Sequence, residues 1–166
     1  MSVAVLCNEC PGYYTIPVNT GFSEESKNLA RNLEKQLGEM RELLANEIRL
    51  KEVFDSLFDI YRACSEANWD GYSASPITLK TLREALKIIR LLPSSFTLPE
   101  IVAEPDGSIG LEWRKGQRLI FVISVDGKYR INYAGIFGSN KTHGSEYFRE
   151  MLPSVVIENL RRLFYR

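Results

Sequence analysis

From Ser23 onward the apolar positions recur at steps of three and four: Leu29, Leu33, Leu37, Met40, Leu44 and Ile48 fall on one side of a helix, with charged residues between them. A serine start followed by glutamates is the chemistry of a helix N-terminus, so residues 23–48 read as a long amphipathic helix. A second stripe at Phe54, Leu57, Phe58, Tyr61 and Cys64 keeps the helical period, either in the same rod or after a break near Leu50. No glycine or proline forces that break. Residues 1–22 carry no sustained period and read as an irregular arm punctuated by Pro11, Gly12, Pro17 and Gly21.

The stretch Asn68 to Ser75 is rich in turn formers, with Asp70-Gly71 as the expected reversal. Ser75-Pro76 then has the form of an N-cap followed by proline at the first helical position, and Leu79, Leu82, Leu86 and Ile89 form the apolar stripe of the helix that Pro93 stops. After Pro99 the period becomes twofold. The runs IVAE, SIGLEW, RLIFVISV and KYRINYAG are separated by hairpin residues and predict a four-stranded antiparallel meander. Leu119 through Ile123 are all apolar, which places the third run at the centre of the sheet with both faces covered. Residues 135–144 read as a glycine-bearing loop, and Pro153 to Tyr165 as a closing helix with Val156, Leu160, Leu163 and Phe164 inward. Helices in two groups around one run of strands define the class: α+β, with N-terminal helices, the meander and a C-terminal helix in a single domain over 23–166.

Composition adds limits to this frame. The 166 residues carry 21 basic and 21 acidic side chains, so the net charge is zero, which disfavours nonspecific wrapping of nucleic acid but allows a local basic patch. Apolar side chains make up 45%, and a chain of this size has core enough to fold without disulfides or a structural metal. No apolar run approaches the roughly 18 residues of a membrane span, and the first residues lack the charged and apolar regions of a signal peptide. Three cysteines, Cys7, Cys10 and Cys64, fit reduced thiols. A cytoplasmic protein is the expectation.

Asn68-Trp69-Asp70-Gly71-Tyr72, the small-residue and proline helix start behind it, and later Pro105-Asp106-Gly107 with Leu111-Glu112-Trp113, together resemble a group of small uncharacterised bacterial proteins. The resemblance covers roughly residues 68–133. It implies a bacterial cytoplasmic protein and carries no catalytic residues; Ser73 stands where a glycine is expected after the tyrosine.

The candidate chemistry is sparse. Cys7 and Cys10 have the spacing of half a zinc site, but no second local pair completes four ligands, so neither metal nor cofactor is expected. His143, the sole histidine, has the proton affinity of a general base and is the residue on which a small enzyme would depend. It lacks an evident nucleophile, since Cys64 falls on an apolar helix side. Asn68, Trp69, Asp70 and Tyr72 set two aromatics, an amide and a carboxylate around one turn, which suits either a binding surface or a turn pinned to the core. Lys80, Arg83, Lys87 and Arg90 stack on one helix face that would suit phosphates or stand solvated, with Glu84 interrupting the field. Arg161, Arg162 and Arg166 add basic character at the C-terminus.

Leu33, Leu37, Met40 and Leu44, flanked by charges of both signs, suit either packing within the domain or self-association through paired helices. The leading expectation is therefore a non-enzymatic protein-binding module that engages a protein partner or a second copy of itself. A nucleic-acid-binding regulator, such as the antitoxin of a two-gene system, comes second, and a small enzyme using His143 third. No membrane partner is expected.

Overall fold

The structure, a computed structural model, describes residues 23–165. Its elements in chain order are α1 (Glu24–Ala63), α2 (Leu79–Leu91), β1 (Glu100–Ala103), β2 (Ile109–Gly116), β3 (Leu119–Val125), β4 (Arg130–Phe137), β5 (Asn140–Tyr147) and α3 (Ser154–Phe164). The two helical stripes read from the sequence thus belong to one helix, with no break near Leu50. The chain divides after Leu43 into two compact units.

In the first unit the described residues are the start of α1. Ser23 caps it, its Oγ accepting the Ser26 N–H at 3.3 Å, and Glu24 pairs with Lys27 one turn on at 2.9 Å. These exposed contacts orient the first turn and add only tenths of a kcal/mol each, roughly.

The second unit holds the rest of α1 and all later elements. The five strands lie in chain order, every neighbour antiparallel. Four of them are the strands the sequence pattern predicts; β5 corrects the four-stranded meander and the loop over 135–144. Gly138, at φ +71°, turns the chain in a two-residue hairpin, and β5 pairs with β4 from Phe137↔Asn140 to Arg130↔Tyr147. This strand reads as loop because it is an edge: Lys141, His143, Ser145 and Glu146 face water, so the alternation that marks a half-buried strand is missing.

Ile109, Leu111 and Trp113 of β2 pair with Val125, Ile123 and Phe121 of β3, and these six side chains are buried. α2 packs on β2 and β3, and α3 on β3 and β4, so the helices lie over the sheet's core face. β3 is central as expected, but Ile120, Val122 and Ser124 on its other face are only half-buried, which corrects full coverage on both sides. Within α3, Val156, Leu160 and Leu163 are buried and Phe164 partly so, as the pattern requires. From α1, Leu57 is fully buried, and Leu50, Val53, Phe54, Ile60 and Tyr61 pack against the same core.

α2 starts later than Ser75-Pro76 suggests. Thr78 is the N-cap, its Oγ1 accepting the Thr81 N–H at 3.2 Å. Residues 75–77 are held instead by the Ser75 N–H donating to Pro105 O and the Ile77 N–H to Cys64 O, each at 2.8 Å. The inward face is also rotated: Leu82, Ala85, Ile88 and Ile89 are buried, while Leu79 is exposed.

Candidate functional site

The loop from Asn68 to Ser75 is built from its own side chains. Asn68 and Ser73 adopt positive φ, at 64° and 71°, and Gly71 lies between them at 77°. Asp70 Oδ1 accepts the Tyr72 and Ala74 N–H groups at 2.7 and 3.1 Å, and Asn68 Oδ1 accepts the Ser73 N–H at 2.8 Å. Trp69 donates its indole N–H to Ser75 O at 3.0 Å and lies partly buried against the core. Three of the four residues singled out in the sequence therefore hold the turn together. Tyr72 alone projects, 89% exposed.

The four cations of α2 are brought to one exposed side, but two are already engaged. Lys87 Nζ donates to Arg149 O and sits 5.5 Å from the centre of the Phe148 ring; the Arg90 guanidinium lies 5.4 Å from that of Phe54. Such contacts hold the cation heads against the protein's own surface. Lys80 and Arg83 remain exposed. Glu84 does not interrupt this field, because it points inward and is buried. Arg162 is drawn over the Phe137 ring at 4.4 Å, Arg161 is exposed, and Arg166 lies outside the described residues.

His143 stands on β5, opposite Ala134 of β4. The same cross-strand row runs through Val122 to Glu112. Three strand spacings separate Glu112 from His143, roughly 14 Å, far beyond a hydrogen bond. Glu112 is itself paired with Arg114 at 2.6 Å. Cys64 is buried in the core, and burial raises its thiol pKa, so the neutral thiol is the form held there. Among the described residues, His143 is thus separated from Glu112 and has no activated thiol to work with. Among the described residues no three or more His, Cys, Asp or Glu side chains gather as a metal site. Cys7 and Cys10 lie outside the described residues, as does the arm over 1–22.

Among the described residues, α1 carries the longest row of exposed large apolar side chains. Leu33 and Leu37 are each 50% exposed, Met40 55% and Leu44 59%, and Leu29 and Ile48 on the same stripe are more exposed still. Leu43 adds to the set at one margin. Within the second unit a shallow groove follows α1, lined in part by Ile48, Leu50, Phe54 and Phe58. The sequence shows the period of this stripe; it does not show that the leucines stand in water. No helix among the described residues is long and apolar enough to cross a membrane.

No protein-family model, curated protein or solved structure matches the chain.

Glu84 is the residue that the sequence pattern misplaced. One carboxylate oxygen accepts the Tyr129 N–H at 2.9 Å, tying α2 to the β3–β4 turn, and the other is buried without a partner. Burial raises the pKa of this carboxyl, and nearby Asp126 adds to the rise; the Tyr129 N–H and the Lys87 ammonium oppose it. A carboxyl whose folded pKa exceeds its unfolded one binds its proton more tightly when folded. Its contribution to stability is complete below the unfolded value and is lost as pH rises through the folded one. Glu84→Gln keeps an acceptor for Tyr129 and removes the titration. Relative to this variant, the wild type should gain stability as pH falls from neutrality toward the ordinary carboxyl value of 4.5. Urea unfolding of both proteins across that window checks it, and parallel pH profiles would show that Glu84 titrates alike in the two states.

Proposed function

We propose that the chain is a protein-binding module that docks through the apolar face of α1. The observation that carries this reading is the row of large aliphatic side chains, Leu29 to Ile48, each half exposed or more on one helix. Isolated exposed leucines are ordinary on a soluble protein; a contiguous stripe of them marks an interaction surface. Covering each remaining half of such a side chain favours association by about 1 kcal/mol or more. The partner chemistry that fits is an apolar stripe on another helix, with charged margins that set its register. The resemblance around Asn68 to Tyr72 supports placing this module in a bacterial cell.

A nucleic-acid role has less support, because Lys87 and Arg90 of the basic face are already held by Arg149, Phe148 and Phe54. A photoreactive amino acid placed at Leu37 tests the reading in the native host. Expected are covalent adducts to protein that disappear when the probe is moved to the charged side of α1, at Lys35. Adducts to nucleic acid, or none to protein, would overturn it.

A further inference from the structure

The order of apolar steps along α1 carries more information than its period. From Leu29 to Ile48 the intervals are four, four, three, four and four, which read the same in both directions. They also repeat after eleven residues, pairing Leu29 with Met40, Leu33 with Leu44 and Leu37 with Ile48; an eleven-residue repeat keeps a stripe nearly straight along a helix. Apolar spacing that is symmetric about its centre lets an antiparallel twofold contact between identical helices set apolar against apolar throughout, because residue i meets j while j meets i.

Resting on the reading of α1 as a docking surface, we infer that its occupant is a second copy of this chain, laid antiparallel with the twofold axis between Leu37 and Met40. In that register Leu29 meets Ile48 of the partner subunit, Leu33 meets Leu44 of the partner subunit, and Leu37 meets Met40 of the partner subunit. Every large apolar residue of the stripe finds another. The margins agree in charge. Glu34 and Arg41 project on the same side of the stripe, and antiparallel packing brings Glu34 to within about 3 Å, along the helix axis, of Arg41 of the partner subunit, from the 1.5 Å rise per residue. Symmetry makes that ion pair twice. A parallel, in-register pair would instead set Glu52 near Glu47 of the partner subunit, with like charges opposed.

Sedimentation equilibrium of the full chain in reducing buffer is the test, with far-UV circular dichroism confirming that each variant is folded. The wild type should be dimeric at micromolar concentration, and Leu37→Glu, whose side chain faces water in the single chain, should be a folded monomer. Glu34→Arg and Arg41→Glu should each weaken the dimer roughly tenfold, since each places two like-charge contacts at the margin. The double variant, Glu34→Arg with Arg41→Glu, should return to within about threefold of wild type, because the reversed pairs form again. A wild type monomeric at high micromolar concentration overturns the inference, as does a dimer untouched by Leu37→Glu. A double variant as weak as its parents overturns the antiparallel register. Protein adducts from the Leu37 probe together with a monomeric wild type would remove the second copy as occupant and leave the docking surface standing.

Discussion

Trp113→Ala is expected to lower the unfolding free energy by about 3–5 kcal/mol, the range for deleting a buried aromatic side chain from a packed core. Trp113 is 2% exposed on the inner face of β2, stacks on Phe121 with ring centres 6.0 Å apart, and donates its indole N–H to Thr97 O at 2.8 Å. The substitution leaves a cavity beside Phe121 and strips the Thr97 carbonyl of its donor, two losses that reinforce each other. Against a total stability of roughly 5–15 kcal/mol, typical for a domain, that loss is a large share, and the urea midpoint should fall in proportion. Trp113→Phe keeps a ring against Phe121 and loses mainly the donated hydrogen bond, so it should cost about 1–2 kcal/mol. Urea unfolding followed by circular dichroism separates the two. Equal losses for alanine and phenylalanine would place the importance of Trp113 in its hydrogen bond and not in its volume.

The elements that bury one face were legible in the sequence because burial imprints a period. Ile109, Leu111 and Trp113 at every second residue, and Val156, Leu160 and Leu163 at three and four, report directly which side meets the core. β5 was not legible by that route, since an edge strand with polar residues on both faces has no hydrophobic alternation to show. A local signal did exist: Gly138-Ser139 between extended runs is two-residue hairpin chemistry, and Gly138 does take the positive φ such a turn needs. The start of α2 was misread for a different reason. Ser75-Pro76 has good capping chemistry, but hydrogen bonds from residues 75 and 77 to Pro105 and Cys64 hold that segment extended, and Thr78 takes the cap.

The candidate site was legible only as a list of residue types. Nothing in the spacing of Lys80, Arg83, Lys87 and Arg90 reveals that Phe148 and Phe54 lie beneath two of them, since those rings come from other parts of the chain. Nor does a leucine stripe declare whether it is covered. The inward residues of α2 and the outward ones of α1 follow the same helical steps, yet Leu82 and Ile89 are buried while Leu33 and Leu37 are half exposed. Asn68 and Asp70 went the other way. The backbone amides that they serve lie within six residues, so their structural role follows from local turn chemistry alone.

Gly127→Val should destabilise the protein by roughly 2–4 kcal/mol, combining the cost of a left-handed backbone with that of overpacking. Asp126-Gly127 has the sequence of a two-residue type I′ turn with positive φ at both central positions, but the structure has a longer connection between β3 and β4, with positive φ at Gly127, 76°, and at Tyr129, 59°. Backbone conformation is one of two demands on Gly127. A Cβ there would lie 2.9 Å from both the N and the Oγ1 of Thr81, a buried residue in the first turn of α2. That amide is engaged by the Thr78 cap, so it cannot retreat without loosening the helix start. Valine adds two branches at the same point and resists positive φ besides. Gly127→Asn separates the demands, because asparagine tolerates the left-handed region yet still brings a Cβ against Thr81. It should fall between glycine and valine, by about 1–2 kcal/mol, when unfolding midpoints are compared at unchanged m-value. Asparagine as stable as glycine would mean that backbone angle alone governs the position. Valine within about 0.5 kcal/mol of wild type, the ordinary scatter of surface substitutions, would show that the turn does not hold α2 at this point.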